Sequence, residues 1–562
     1  MKKILLSVIA VAATLSSFGQ AFFTQTSYRG AFAPSPTAMW SNGWTQWDPQ
    51  NAVYPAPTAS VSGTITANTT WSAGTTVLLQ GPVYVSNNAI LTIQPGVVVR
   101  GAKAVAGSAL IICKGSQIMA AGTASSPIVF TSDQNANSRG VGDWGGVILL
   151  GKATINYTTG VNNIEGLPVS PESQYGGGGT PNDNDNSGTL SYVRIEWGGY
   201  VYGTNQEING LTMGGVGRGT TLDHIQVSFT NDDGFEWFGG TVNAKYLISY
   251  RNLDDDFDTD NGYSGNVQFG LIVRDPNIAD NPAVSTSEGF ESDNDAGGTT
   301  ATPLTSGIFS NVTLVGPYRG ANTNTIAAGY RRSARLRRNT NLKIYNSILM
   351  DTQRGIHIDG SAAENNATAG TPSGATAGIK FKNNTVAGTA NGRTCETNTT
   401  VTAFTQSVIT WFISNGNDSI PNSSPSFSTI LIAPYSYTAG DYRPHASYTA
   451  TPNFTDAPIA ANTQTIGTSI KEVKKQIGYV LLFPNPSADQ TSLYITTAQA
   501  TAVNIHVFDV TGKIVSVVAK DLKLEEGTNE FNISTTELTS GVYFVSIESG
   551  AGREVVKLII NK

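Results

Sequence analysis

The chain has 562 residues, more than one hydrophobic core serves, so two or more domains are expected. Only 13% of residues are charged while Gly numbers 60 and aromatic residues make up 9%, which excludes a disordered chain and fits an all-β protein of many strands and turns. A net charge of -7 excludes a general nucleic-acid binder, which needs a basic footprint.

Lys2 and Lys3 precede an apolar run from Ile4 to Leu15 and small residues at Ser17 and Gly19. This is the pattern of an export signal over residues 1–19, cut before Gln20. The run is too short to cross a bilayer and no second run of about 18 apolar residues follows, so no transmembrane segment is expected. Residues 20–60 form an aromatic segment. Trp40, Trp44 and Trp47 could stack on sugar rings, but ahead of a repetitive fold they are expected to cap its open end. Cys113 lies in an apolar run 282 positions before Cys395, and both are expected as free thiols. His224, His357, His445 and His506 have no metal-type spacing.

From residue 61 to 435 short apolar strands recur between turns: Ala89–Ile93, Leu190–Ile195, Leu222–Val227, Tyr246–Ile248, Asn311–Leu314 and Leu342–Tyr345. Setting Phe229 against Tyr250 gives a period of 21 residues, and Trp197 against Phe229 gives 32, that period plus a Gly-rich excursion near Gly214–Gly219. A strand returning every twenty-odd residues marks a solenoid, whose turns bury apolar residues only by stacking. The stretch from Ser86 to Lys103 and the run Gly142-Asp143-Trp144-Gly145-Gly146-Val147-Ile148 resemble rungs of right-handed parallel β-helix proteins of the pectin-lyase-like fold. The resemblance spans roughly residues 60 to 410.

After a Pro/Ser/Thr/Asn-rich linker, set at 436–477, composition changes. Residues 468–562 carry 19 charges, about 20%, and 6 of the 60 glycines. Alternating strands there, Ser492–Thr496, Val503–Asp509, Phe531–Thr535, Gly541–Val545 and Val555–Ile560, with a turn at Thr511-Gly512-Lys513, predict a small antiparallel, immunoglobulin-like sandwich over 478–562. Phe483-Pro484-Asn485-Pro486-Ser487 at its start, the Gly541-x-Tyr543 strand, Lys557 and the terminal Lys562 resemble a type A C-terminal sorting domain of the type IX secretion system of Bacteroidetes. The resemblance implies secretion to the cell surface or beyond it, with the secretion machinery and its sortase as partners. Removal of the domain would then leave the body on surface lipopolysaccharide or released.

Chemistry concentrates in one stretch. Between Arg251 and Asp295 stand eleven carboxylates and two arginines, a charge of -9. Its centre is Asp254-Asp255-Asp256-Phe257-Asp258-Thr259-Asp260, flanked by Asp232-Asp233 and by Glu288–Asp295. Such oxygen density suits Ca²⁺, with Asp254, Asp256, Asp258 and Asp260 as candidate ligands. The spacing is not that of an EF-hand. Solvated turns, or pairing with arginines, are the alternative. Arg331, Arg332, Arg335, Arg337 and Arg338 follow, and pairing with carboxylates of adjacent turns is the expected use. Calcium beside arginine on a β-helix also resembles calcium-dependent polysaccharide lyases, which would make Arg335 or Arg337 the candidate base. The Gly-His-Gly and Arg-Ile-Lys elements of polygalacturonases are missing. With no complete catalytic motif, the sequence reads as a secreted or surface-anchored adhesin or glycan-binding protein, the polysaccharide lyase being the alternative.

Overall fold

The computed structural model describes residues 21–562 apart from 204–205, 321–324, 372–373, 399–406, 425–426, 464–476, 498–499, 511–512 and 550–551. The export signal and Thr511-Gly512 of the expected turn lie outside the described residues. The chain divides into two compact units at Gln464/Thr465.

The first unit is a parallel β-helix. Its 26-stranded sheet is parallel throughout, and each coil feeds short strands to three ladders. One ladder stacks Leu211–Gly214, Phe235–Phe238, Phe257–Asp260, Phe290–Ser292, Arg332–Arg337 and Arg354–Asp359. Alternation within each strand decides what is buried. Phe235, Trp237, Phe257 and Phe290 point inward and are fully buried, while Glu236, Asp258 and Glu291 point outward. Phe257 sits at the centre of an aromatic cluster, 5.5–6.0 Å from the rings of Phe235, Trp237, Phe290 and Phe309. Truncating it leaves a cavity that stacked coils cannot collapse. Phe257→Ala is expected to lower the unfolding free energy by about 3–5 kcal/mol, read as a shift of the denaturant midpoint.

Corners are set by residues in the left-handed region. Tyr192, His224, Tyr246 and Phe269 hold φ of 50–65° at equivalent corners and their rings stack 4.4, 4.4 and 5.1 Å apart. Asn311, Asn346 and Asn383 occupy the same corner in later coils, where asparagine tolerates that conformation. The motif around Trp144 works by close approach: Gly101 has no Cβ, and one placed there would lie 2.4 Å from Trp144. The buried Trp144 indole donates to the Glu196 carbonyl at 2.8 Å, and the strand Val147–Leu150 follows.

Three sequence expectations need correction. Ser228, not Phe229, pairs with Tyr250, so the coil there is 22 residues. Phe229 is a corner residue stacked on Trp197 at 4.4 Å. The aromatic segment 20–60 does not cap the open end but runs along the side of the stack. Arg29 bonds the Asn384 carbonyl and Asp418 of the last coils, Trp40 and Trp44 pack on His224, Trp47 packs on Tyr250, and Tyr54 reaches Glu196. The cause is the corner ladder of rings, a strip of apolar surface that the tryptophans cover. Finally, residues 436–463 of the expected linker belong to the body. Tyr442 and Ile459 are buried, and Tyr437 lies 4.1 Å under the Arg319 guanidinium.

Cys113 is buried and Cys395 half-buried, and both are free. Burial pushes the Cys113 thiol up to about 12. Among the described residues, three short α-helices, Ser361–Gly370, Val408–Ser414 and Ala457–Ala460, interrupt the body. No helix among the described residues is long and apolar enough to cross a membrane.

The second unit is all-β, with an antiparallel three-stranded sheet and an antiparallel four-stranded sheet. Period-two alternation puts Leu493, Ile495, Val503, Ile505, Val507, Val545, Ile547 and Leu558 in one core. The residues of the sorting-domain resemblance act as clips. Asn485, between Pro484 and Pro486, donates to the Lys557 carbonyl at 2.7 Å and accepts from the Ile559 amide at 2.8 Å. Gly541 opens the strand Gly541–Ser549, in which Tyr543 is buried and donates its hydroxyl to the Thr539 carbonyl at 3.0 Å. The Lys562 amide bonds Ser540 at 3.1 Å.

Candidate functional site

The outward positions of the ladder described above form a charged column. Strand register sets Glu236 beside Asp258, Asp258 beside Glu291, Glu291 beside Arg335, Arg335 beside His357, and His357 beside Glu396. Acid thus occupies the earlier coils, base the two that follow, and Glu396 ends the column.

A second column lies at the turns that lead into these strands, and there each acid holds the next coil. Asp233 accepts the Asp255 amide at 2.9 Å, Asp255 the Glu288 amide at 2.5 Å, and Glu288 the Arg332 amide at 2.7 Å. The consecutive acids of the sequence are therefore partly scaffold, satisfying backbone donors that a turn leaves unpaired.

The two columns meet in a cavity of about 590 Å³ lined by ten carboxylates and the guanidiniums of Arg337 and Arg338. Ligand oxygens of Asp232, Asp233 and Asp254 fall within 4.8 Å of one another, as do those of Asp233, Glu236 and Asp258, and those of Asp255, Asp258 and Glu291. Because Asp233 and Asp258 are each shared by two sets, these make one continuous strip. Like charges this close repel by about 1 kcal/mol per pair even in water, and more against a protein wall. The consequence is a row of carboxyls held above their ordinary range. Burial raises Asp258 well above it, with Glu291 and Asp293 adding to the effect. Burial and then Asp232 raise Asp233. Burial and Asp280 bring Asp254 to about 7. Burial brings Glu291 to about 8 although Arg337 opposes it.

Of the candidate ligands, Asp254 and Asp258 enter the cavity. Asp256 and Asp260 do not join the ligand sets. Asp256 points to the opposite side of the turn, fully buried, accepting from Ser249 at 2.5 Å and pairing with the fully buried Arg274 at 3.3 Å. Asp260 lies two residues beyond Asp258 in the same strand and accepts the Asn261 amide at 2.6 Å. Burial and Asp293 raise it to about 7. Asp254 and Asp258 each keep a buried Oδ1 without a partner. Asp258 belongs to two of the three ligand sets, and no hydrogen bond or ion pair among the described residues reaches its carboxylate.

Four of the five expected arginines, Arg332, Arg335, Arg337 and Arg338, pair with acids of adjacent coils, as does Arg354. Arg337 bonds Glu291 and, at 2.8 Å, Asp293. Arg335 bonds Asp359 at 2.8 Å and approaches Glu291 at 3.6 Å. Arg338 bonds Asp293 at 2.7 Å, Arg332 Glu288 at 2.5 Å, and Arg354 Glu396 at 2.9 Å. Burial works against the charge on Arg337, but Glu291 and Asp293 outweigh it and raise the guanidinium above its ordinary value. Glu165, Glu207 and Asp280 also line the cavity. Asp280 belongs to the acidic stretch visible in the sequence, whereas Glu165 and Glu207 come from excursions about fifty to ninety residues before Asp258, and no local spacing announces them.

A donor set made only of oxygen, with an unpartnered carboxylate at its centre, fits a hard divalent cation such as Ca²⁺. Asp258 would hold it, together with Asp233 and Glu236 or with Asp255 and Glu291.

Comparisons with known proteins agree with this architecture. The family model for a pectate-lyase-like β-helix domain matches residues 63–422, and the model for a secretion-system C-terminal sorting domain matches residues 481–561. No curated protein matches the chain. Among solved structures, the full-length tailspike protein 2 of Escherichia coli O157:H7 bacteriophage CAB120 aligns at 12% identity over 86% of this chain and 64% of the tailspike chain. Its TM-score is 0.22, too loose an overlap to support an argument. The sorting domain places the protein among those secreted by the type IX system, to the cell surface or the extracellular space. With more than half of its residues matched by the family model, the chain belongs to the pectate-lyase-like β-helix family.

Proposed function

We propose that this secreted protein is a non-enzymatic, adhesin-like surface protein that binds Ca²⁺ in the acidic cavity and, through it, an anionic extracellular polysaccharide. The observation that carries this reading is the Asp258 carboxylate, set between Glu236 and Glu291 with no protein partner of its own. Bound Ca²⁺ would neutralise the strip and leave coordination positions for carboxylates of a sugar chain. Arg337 and Arg338 at the rim add positive charge on the same side. After sorting-domain removal, attachment to lipopolysaccharide would hold the cavity at the surface.

The polysaccharide lyase reading is weaker on chemical grounds. A base must be able to give up its proton, and Arg335 and Arg337 are each tied to two carboxylates that favour the charged form. Retention of the protein on immobilised polyuronate, with Ca²⁺ or with chelator, tests both readings. Ca²⁺-dependent retention, lost in Asp258→Asn by tenfold or more, is expected, with no rise in ultraviolet absorbance from unsaturated product. Retention indifferent to chelator would overturn the calcium reading, and an absorbance rise would establish the lyase.

A further inference from the structure

Residues 49–99 contain no Asp, Glu, Lys, Arg or His, and they build the first coils of the β-helix. The strands of the first coil, Ala59–Ile65 and Thr69–Trp71, pair with Thr76–Val85 and Ile90–Ile93. Among the described residues nothing pairs with their other edge. Thr58 donates its amide to Thr76 at 2.8 Å, and Ile65 accepts from the Ser86 amide at 3.0 Å. Backbone groups alternate in direction along a strand, and the register shift between Val61 and Gly63 resets the alternation, so Ala59, Val61 and Thr64 aim their N–H and C=O out of the molecule. Val61 and Ile65 are only half-buried there, whereas inward residues of the next coil, Val77, Leu79, Val83 and Val85, are fully buried.

Soluble proteins ordinarily guard such an edge with Lys, an inward charge or a covering segment. Among the described residues this edge has none of them, its one irregularity being the register shift between Val61 and Gly63. The aromatic segment that could cover it lies along the side of the stack instead. The last coil is treated differently: the helix Val408–Ser414 puts Trp411 and Phe412 into the core.

We propose that the N-terminal end of the β-helix is an interface with a second copy of this chain, formed by antiparallel pairing of Ala59–Ile65 with itself across a two-fold axis. A two-fold perpendicular to the coil axis reverses strand direction, so self-pairing here must be antiparallel. An isologous interface sets one patch against the same patch, residue i against j and j against i, and a stretch without charge meets itself with no like-charge repulsion. A foreign partner would be selected by complementary charge, and this end offers none. The pairing also sets Val61 and Ile65 of the two copies together and closes the apolar interior.

Sedimentation of the purified full chain in chelator, at up to about 100 µM, tests this. A dimer is expected. Ala59→Pro/Thr64→Pro removes two outward amides without touching the bonds to Thr76–Val85, and Ser60→Lys/Ser62→Lys adds charge at exposed positions. Each double variant is expected to weaken the dimer at least tenfold with circular dichroism unchanged. A monomer at the highest concentration overturns the proposal, as does a dimer that survives both variants. A monomer whose Ala59, Val61 and Thr64 amides still exchange slowly also overturns it, and assigns the edge to another segment of the same chain.

Discussion

Removal of residues 478–562 is expected to stop the protein short of the cell surface, with surface material reduced tenfold or more. The sorting domain is a compact unit with its own core, so deleting it leaves the coils of the body intact. What is lost is the structure that the type IX machinery reads. The domain also offers a milder variant. The two side-chain bonds of Asn485 tie its first loop to the last strand, Gly552–Ile560. Asn485→Ala removes both, at about 0.5–1.5 kcal/mol each. It should therefore lower the domain's stability and reduce export without abolishing it. Protease accessibility on whole cells, against total protein in lysate, is the measurement. Surface exposure of the truncated chain equal to wild type would refute the export role.

The body and the tail differ in how plainly their sequences speak. In the tail, alternation of apolar residues within each strand is a local signal, so periodicity shows the strands and their inward faces, although Gln490–Thr497 pairs with the distant Gly527–Ser534 and Thr501–Phe508 with Gly541–Ser549. The body's coils are also legible as strands, because Phe257 and Thr259 point inward for the same period-two reason that Asp258 points outward. Lateral placement is harder. Nothing in Trp40, Trp44 or Trp47 tells whether they close an end or lie against a side. That depended on the ring ladder of Tyr192, His224, Tyr246 and Phe269, which exists only once four coils are stacked. The acidic stretch shows the same limit. Its charge is visible in sequence, but Asp256 and Asp258, two residues apart, have opposite fates. Asp256 belongs to the turn and faces the buried Arg274, whereas Asp258 belongs to the strand and faces the cavity. Glu165 and Glu207 reach the cavity only through folding of remote loops.

Those opposite fates lead to the prediction with the clearest sign. The carboxyls of the strip ionise with more difficulty in the folded protein than in the unfolded chain: burial and neighbours place Asp254 at about 7 and Glu291 at about 8, against ordinary values near 4. The folded state therefore holds protons that the unfolded state has released, and stability falls as pH rises between those values. This contribution is fully present below about pH 4 and is lost progressively up to about pH 8. In chelator, the melting temperature of the body should fall by several degrees between pH 5 and pH 8. Ca²⁺ competes with protons for the same oxygens, so it should restore the melting temperature at pH 8 and have little effect at pH 5. Asp258→Asn removes one charge from the strip. It should melt higher than wild type in chelator at pH 8 and lose most of the response to Ca²⁺. Asp256→Asn should behave oppositely. It leaves the buried Arg274 without its carboxylate, which costs about 3–5 kcal/mol, and it keeps the Ca²⁺ response. Calorimetric scans of the three proteins across pH, with and without Ca²⁺, separate these outcomes. A wild-type melting temperature unmoved by Ca²⁺ at pH 8 would leave repulsion in the strip to be relieved by protons and arginines alone, and would remove the cation site.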